Sequence, residues 1–342
     1  MRLFIHYQRG QTLTPLIMDK NQFFVQKLLL RYSQTYLYCV IFGVLLFEVL
    51  LMEVAMSYRY VLVSLIFSVS FGVHAKLEQT EVEAYPKNSA EVTLLSDGKR
   101  LPAIYYGAQG KGPHPTIILL HGYPGNEKNL DVAQGMRDAG WNVIFFHYRG
   151  AWGAEGDFSF TGSEQDVTAV TKFFQQPKNT EKFKINPNKI SYIGHSMGGH
   201  MAVAGLFDNP EVACGVVYDG ANIGVTFKSD DEKVKNMWAA YADSLFMLRG
   251  WSGEVATREL AESGEQLDLT TRAHEIGIRP ILFIPADSDV IPIAEINALA
   301  NAMRKVKGNN VNYRLIKDDH SFNNNRSKLL KVTEEFLNSN CR

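Results

Sequence analysis

The chain has 342 residues, enough for two average domains or for one large α/β domain. Its 46% hydrophobic and 21% charged residues are ordinary globular composition and exclude a disordered chain. Thirty-five Lys+Arg against 36 Asp+Glu leave a net charge of −1, without the basic excess of a nucleic-acid binder. The three cysteines, Cys39, Cys214 and Cys341, exclude a disulfide scaffold and any CxxC-type zinc site.

The first 75 residues differ from the rest. They hold two apolar runs, Tyr36–Leu51 and Tyr60–Val73. From Met56 the sequence reads MSYRY, then VLVSLIFSVSF, then GVHA. A short basic start, a brief apolar core and small or apolar residues at Val73 and Ala75 form a secretory signal, with cleavage expected after Ala75. The apolar core is too short to span a bilayer comfortably. Residues 1–55 precede a complete signal with its own Met. The favoured reading is a start assigned too far upstream. The alternative is a membrane segment over Leu37–Leu51, where Glu48 and Glu53 sit awkwardly. The expected location is therefore periplasmic or secreted, with membrane association only through the N-terminal segment. Export means an oxidising compartment. Cys214 and Cys341 are nonetheless expected to stay unpaired.

From about residue 90 strands and helices alternate. Glu91–Leu95 and Leu101–Gly107 are expected strands around a Ser96-Asp97-Gly98 turn. Pro115–Leu120 is a continuous apolar run, expected of a strand buried on both faces. A helix over Leu130–Ala139 closes at Gly140, and Trp141–Tyr148 is the next strand. Ser163–Gln176 is an expected helix with Ser163 as N-cap. Lys189–Gly194 is a strand, Gly198–Phe207 a helix and Val212–Tyr218 a strand. Arg279–Ile284, Ala294–Val306, Asn312–Ile316 and Lys328–Leu337 continue as strand, helix, strand, helix. Such alternation predicts βαβ units, a mostly parallel sheet and helices on both faces. Residues 221–278 lack a clear strand and are expected as a helical insertion, with helical stretches over Asp231–Arg249 and Gly253–Glu262.

The strongest chemical signal is Gly194-His195-Ser196-Met197-Gly198, after a buried strand and before a helix. Ser196 must stand on a sharp strained turn so that its Oγ projects from the sheet edge, and the glycines permit close backbone approach. The second signal is His121-Gly122-Tyr123-Pro124-Gly125, directly after strand 115–120. Acyl transfer needs two N–H groups aimed at an oxyanion, and the natural candidates are those of Tyr123 and Met197. Among nine histidines, only His320 follows the last strand, where a loop can set an imidazole above Ser196 as general base and then acid. The orienting carboxylate is expected after the preceding strand. Asp289 is preferred because it stands deeper in the loop, with Asp287 and Asp219 as the other candidates.

The order Ser196, Asp289, His320, with the strand–turn–helix at Ser196 and the His-Gly turn, resembles the α/β-hydrolase superfamily over roughly residues 90–340. Ala286 three residues before Asp289 is similar to that family's acid loop, with Ala replacing Gly. The runs HGYPGNEKN (121–129) and FHYRGAWGAEGDFSF (146–160) look like the serine aminopeptidase and prolyl-oligopeptidase-like branches. The resemblance implies the α/β-hydrolase fold and two-step acyl transfer on a small-molecule ester or short peptide, with no cofactor and no metal. The loop after strand 141–148 should border the site. Arg149 there is either a bidentate substrate contact or, as the weight of expectation has it, a structural ion pair, and Trp152 is a further substrate-binding candidate. The insertion should lie over the site as a lid, most of its aromatics packing it onto the core. An acyltransferase and a non-catalytic binding module on the same fold are the competing readings.

Overall fold

The computed structural model describes residues 84–341, except Asp289, and three isolated earlier positions, Gly43, Leu46 and Met52. The signal over 56–75 and, apart from Gly43 and Leu46, the Leu37–Leu51 segment lie outside the described residues. Among the described residues no helix is long and apolar enough to cross a membrane.

Eight strands form one sheet: β1 (Asn88–Ser96), β2 (Lys99–Gly107), β3 (His114–Leu120), β4 (Asn142–Phe146), β5 (Ile185–His195), β6 (Cys214–Tyr218), β7 (Pro280–Ile284) and β8 (Asn310–Tyr313). Their order across the sheet is β1-β2-β4-β3-β5-β6-β7-β8. β1 and β2 alternate exposed and buried residues and pair antiparallel, as a hairpin with one wet face does. β2 also meets β4 antiparallel, and every later pairing is parallel. The central strands β4 and β6 are buried throughout, since helices cover both faces.

The helices are α1 (Leu130–Asp138), α2 (Phe160–Gln175), α3 (Pro177–Lys182), α4 (Met197–Asp208), α5 (Ile223–Thr226), α6 (Glu232–Asp243), α7 (Gly253–Ser263), α8 (Ile293–Arg304) and α9 (Arg326–Asn340), with a 3₁₀ turn at Ala273–Ile276. Along β3, Ile118 and Leu120 join one core with Val167 of α2, Met201 of α4 and Met303 of α8. Ile117 and Leu119 join the opposite core with Met136 of α1 and Phe336 of α9. The alternation of side chains across a strand thus divides two cores between two layers of helices.

Two expectations are corrected. α2 begins at Phe160, and its N-cap is Ser159 rather than Ser163: the Ser159 hydroxyl accepts the Gly162 N–H at 3.0 Å, while Ser163 is fully buried. Cys214 and Cys341 do pair, in a disulfide with 5.8 Å between their Cα atoms. α9 lies against the sheet, its Thr333 hydrogen-bonded to Tyr218 at 2.7 Å, which carries Cys341 to the buried start of β6. Closing a loop of 127 residues removes on the order of 4–5 kcal/mol of unfolded-chain entropy.

The expected insertion runs from the end of β6 to the start of β7 and contains α5, α6, α7 and the 3₁₀ turn. It is stitched to the loop after β4. Ala151 and Leu248 form an antiparallel bridge, Trp152 N–H donates to Met247 O, and Phe158 N–H donates to Arg249 O.

Candidate active site

Parallel register brings the chemistry together. Leu120 of β3 pairs with Gly194 of β5, and His195 pairs with Tyr218 of β6. The turns that follow all open at the same sheet edge. There β3 and β5 are neighbours although α1, β4, α2 and α3 separate them in sequence. Crevices of this kind lie where the strand order reverses.

Ser196 joins β5 to α4 at φ 57°, ψ −121°, a strained conformation for any residue but glycine. Its N–H donates to Tyr218 O at 2.9 Å, and its carbonyl accepts from Gly199 and Ala221. The flanking glycines are sterically required. A Cβ on Gly194 would lie 1.8 Å from Gly198 O, and one on Gly198 would lie 2.0 Å from Leu120 O. The turn is therefore as tight as backbone contact allows, and it places the serine hydroxyl at the N-terminus of a buried helix.

His320 lies in the loop between β8 and α9, with its Nδ1–H donating to Asp219 Oδ2 at 2.6 Å. That hydrogen bond leaves Nε2 with a lone pair, the form a general base needs. Asp219 follows β6 directly and is wholly buried. Its Oδ1 accepts from the Ala286 N–H at 2.9 Å, and its Oδ2 also accepts from the Ser288 hydroxyl at 3.0 Å. This corrects the preference for Asp289. A neutral imidazole has a single N–H, and His320 directs it from Nδ1 to Asp219 as a hydrogen bond. Asp287 is exposed, and Asp289 lies outside the described residues. The loop expected to supply the acid supplies hydrogen-bond donors to it instead. Among the described residues no hydrogen bond joins Ser196 to His320, a contact that often tightens only with substrate.

The His-Gly turn presses on the nucleophile. A Cβ on Gly122 would lie 3.0 Å from Ser196 Cβ and 3.5 Å from its Oγ. Among the described residues, neither the Tyr123 nor the Met197 N–H donates to a partner, so both are available to an oxyanion. His121 is locked beneath. Its Nδ1–H donates to Gly122 O at 2.8 Å, and its Nε2 accepts from His147 Nδ1 at 3.3 Å. Burial, and then His147 beside it, push its pKa down to about 3. His200 is likewise committed, accepting the Ile223 N–H and donating to the buried Glu164 at 2.9 Å. Both imidazoles are thus engaged at both ring nitrogens.

Arg149 is not free for substrate. Its Nε donates to the buried Asp166 at 2.9 Å and its Nη2 to Ser96 at 3.0 Å, so the structural ion pair holds and the substrate contact is withdrawn. Trp152 donates its indole N–H to Pro124 O at 2.7 Å and thereby braces the far end of the oxyanion turn. Tyr123 sits among Phe158, Phe160, Phe227, Tyr241 and Trp251, with ring centroids 5.5–6.2 Å away. Trp251 donates its indole N–H to the Tyr123 hydroxyl at 2.7 Å. These rings pack against one another, so the insertion's aromatics bind it to the turn that carries the Tyr123 N–H.

Sequence reasoning missed three participants. Ser288 and Glu259 reach the site region across long sequence gaps, Glu259 by accepting the Phe160 and Thr161 N–H groups at the start of α2. No local pattern marks either. His195 was visible inside the motif, but its partner, the carbonyl of His320 at 2.8 Å, was not.

The BD-FAE family model matches residues 103–238, which hold Ser196, Asp219 and the His-Gly turn. A 2-hydroxy-6-oxononadienedioate/2-hydroxy-6-oxononatrienedioate hydrolase of Pseudomonas putida is 30% identical over 143 residues, 40% of this chain and 47% of that protein. The chain spans about half the length of the curated relatives it matches. Among solved structures, the esterase Pf2001 of Pyrococcus furiosus superposes with a TM-score of 0.55 at 20% identity, covering 76% of this chain and 93% of that one. Est1E of Butyrivibrio proteoclasticus with ferulic acid bound gives 0.58 at 16% identity, covering 73% and 98%.

Proposed function

We propose that the chain is an exported serine hydrolase of the α/β-hydrolase superfamily, cleaving a carboxylic ester of a small molecule. The observation that carries this reading is Ser196 in its strained turn, with His320, already paired with a buried carboxylate, held through its carbonyl to the residue before the serine. In the proposed reaction Ser196 Oγ attacks the ester carbonyl as His320 Nε2 takes its proton. The Tyr123 and Met197 N–H groups hold the oxyanion. The intermediate collapses to an acyl-enzyme as His320 returns the proton to the leaving alkoxide. Water then loses a proton to His320 and attacks the acyl carbon, and the second intermediate collapses as His320 returns that proton to Ser196 Oγ, releasing the acid and the free serine. Asp219 keeps the Nδ1–H tautomer throughout and stabilises the imidazolium. Both esterases and an acylaminoacyl peptidase stand among the similar structures, and the ester is the class this reading takes.

Export is supported by the signal over 56–75 and by the Cys214–Cys341 disulfide, which persists in oxidising compartments. One experiment tests both parts. The full chain is produced with its native leader, and the exported product is treated with a fluorophosphonate and read by intact mass. The expected mass begins at Lys76, is two hydrogens short, and gains one adduct that Ser196→Ala lacks. An adduct surviving Ser196→Ala sinks the nucleophile assignment. A product retaining residues 1–75, or found only inside the cell, sinks export.

A further inference from the structure

His195 poses a problem of its own. It is almost fully buried, and its Nδ1 is without a hydrogen-bond partner among the described residues. A buried acceptor left unpaired carries an uncompensated desolvation cost. An apolar side chain would avoid that cost, so the imidazole needs a compensating contact. Its other nitrogen provides one. Nε2 lies 2.8 Å from the carbonyl oxygen of His320, and a carbonyl only accepts, so Nε2 carries the proton. The two imidazole rings lie 4.6 Å apart between centroids. His195 is also the last residue of β5, with Ser196 bonded directly to it.

One side chain therefore joins the nucleophile's own strand to the backbone of the base. The Asp219 hydrogen bond sets the direction of the His320 ring, but it acts at the tip of the side chain. The carbonyl contact acts at the root. The loop bearing His320 is stiffened by its own contacts, Asp319 with Ser321 and Asn323, and Asp318 with Asn324 and Asn325. Those contacts set the loop's shape. They do not set its distance from Ser196.

We propose that His195 is a positioning residue that sets the separation of Ser196 and His320 by donating its Nε2–H to the His320 carbonyl. The inference rests on the serine hydrolase reading above. A misplacement of about 1 Å at a reacting pair is enough to cost on the order of 100-fold in rate.

The test compares His195→Gln, His195→Asn and His195→Phe in the full chain, with p-nitrophenyl acetate as substrate. The Gln amide reaches as far as the imidazole Nε2, the Asn amide stops short, and Phe keeps the ring without a donor. The expected result is kcat within a few-fold of wild type for His195→Gln. His195→Asn should fall about 10- to 100-fold with KM within twofold, and His195→Phe should do the same if it folds. The Gln/Asn comparison carries the test even if Phe is not tolerated. Equal kcat for Gln and Asn, or wild-type kcat for Phe, overturns the proposal, as does a kcat that follows thermal stability across the set. Ser196→Ala and His320→Ala in the same assay separate the two claims. If either retains turnover, the hydrolase reading fails. If both are inactive while His195→Asn is fully active, only the positioning role fails.

Discussion

Asp219 carries a carboxylate into a site closed to solvent, which is tolerable only with donors around it. Three converge on it: the Ala286 N–H, the Ser288 hydroxyl and His320 Nδ1–H. Replacing one carboxylate oxygen by an amide inverts one of these contacts and favours the wrong imidazole tautomer. Asp219→Asn is therefore expected to lower kcat on the order of 10³–10⁴-fold, whereas Asp289→Asn should stay near wild type. Ester turnover by the two purified variants checks this, and the reverse ranking would restore Asp289. The strained turn at Ser196 and the late loop of His320 were legible in the sequence because each rests on a local pattern or on chain order. The acid was not, because three aspartates qualify by order. The choice depends on how the end of β6 meets the turn after β7, where Asp219 N–H donates to Ile284 O. That is a fact of register, and register is invisible in one strand read alone.

At the level of elements, the loop after β4 does the work expected of a substrate loop by different means. Arg149 pins it to α2 through the fully buried Asp166, and the Arg149 backbone N–H donates to the same carboxylate at 2.7 Å. The segment 247–249 of the insertion then bonds along that loop. Anchor, loop and insertion form one chain of contacts ending at Tyr123 through Trp251. Removing the guanidinium strands a buried charge, a loss of about 3–5 kcal/mol. Arg149→Met is expected to lower stability by that order, read as a shift in the urea midpoint, with KM for a neutral p-nitrophenyl ester unchanged near 20 °C. A selective rise in KM without loss of stability would return Arg149 to the substrate. The strands and the helical insertion were predictable because apolar runs and turn residues announce them, or their absence does. The stitching was not: it depends on main-chain groups such as Met247 O and Arg249 O, whose partners lie about 90 residues away and leave no mark in composition.

For the whole molecule, the burial that orders the site makes it sensitive to acid. Burial lowers the pKa of His195 to about 4, with His320 adding to the effect, and that of the buried His121 to about 3. His147, half-buried and beside Lys128, falls to about 4. In the unfolded chain each returns to about 6.5. The sign follows directly. Between about pH 6.5 and pH 4 the unfolded chain binds protons at these positions and the folded chain does not, so stability rises with pH across that window. The contribution is complete above pH 6.5 and is lost progressively below it, entirely by about pH 4 for His147 and His195 and by about pH 3 for His121. Most carboxylates titrate below the upper part of this range, so between pH 6 and 5 the histidines dominate the slope. Each fully buried one adds up to about 1.4 kcal/mol per pH unit. Urea denaturation at pH 7.0, 6.0 and 5.0 should show wild-type stability falling steadily. His195→Gln, which removes one titrating group and keeps the donor, should fall less steeply by about one such increment. A wild-type stability that is flat over this range would mean that these imidazoles accept protons in the folded state, and the single tautomers assigned to His121 and His195 would then be wrong.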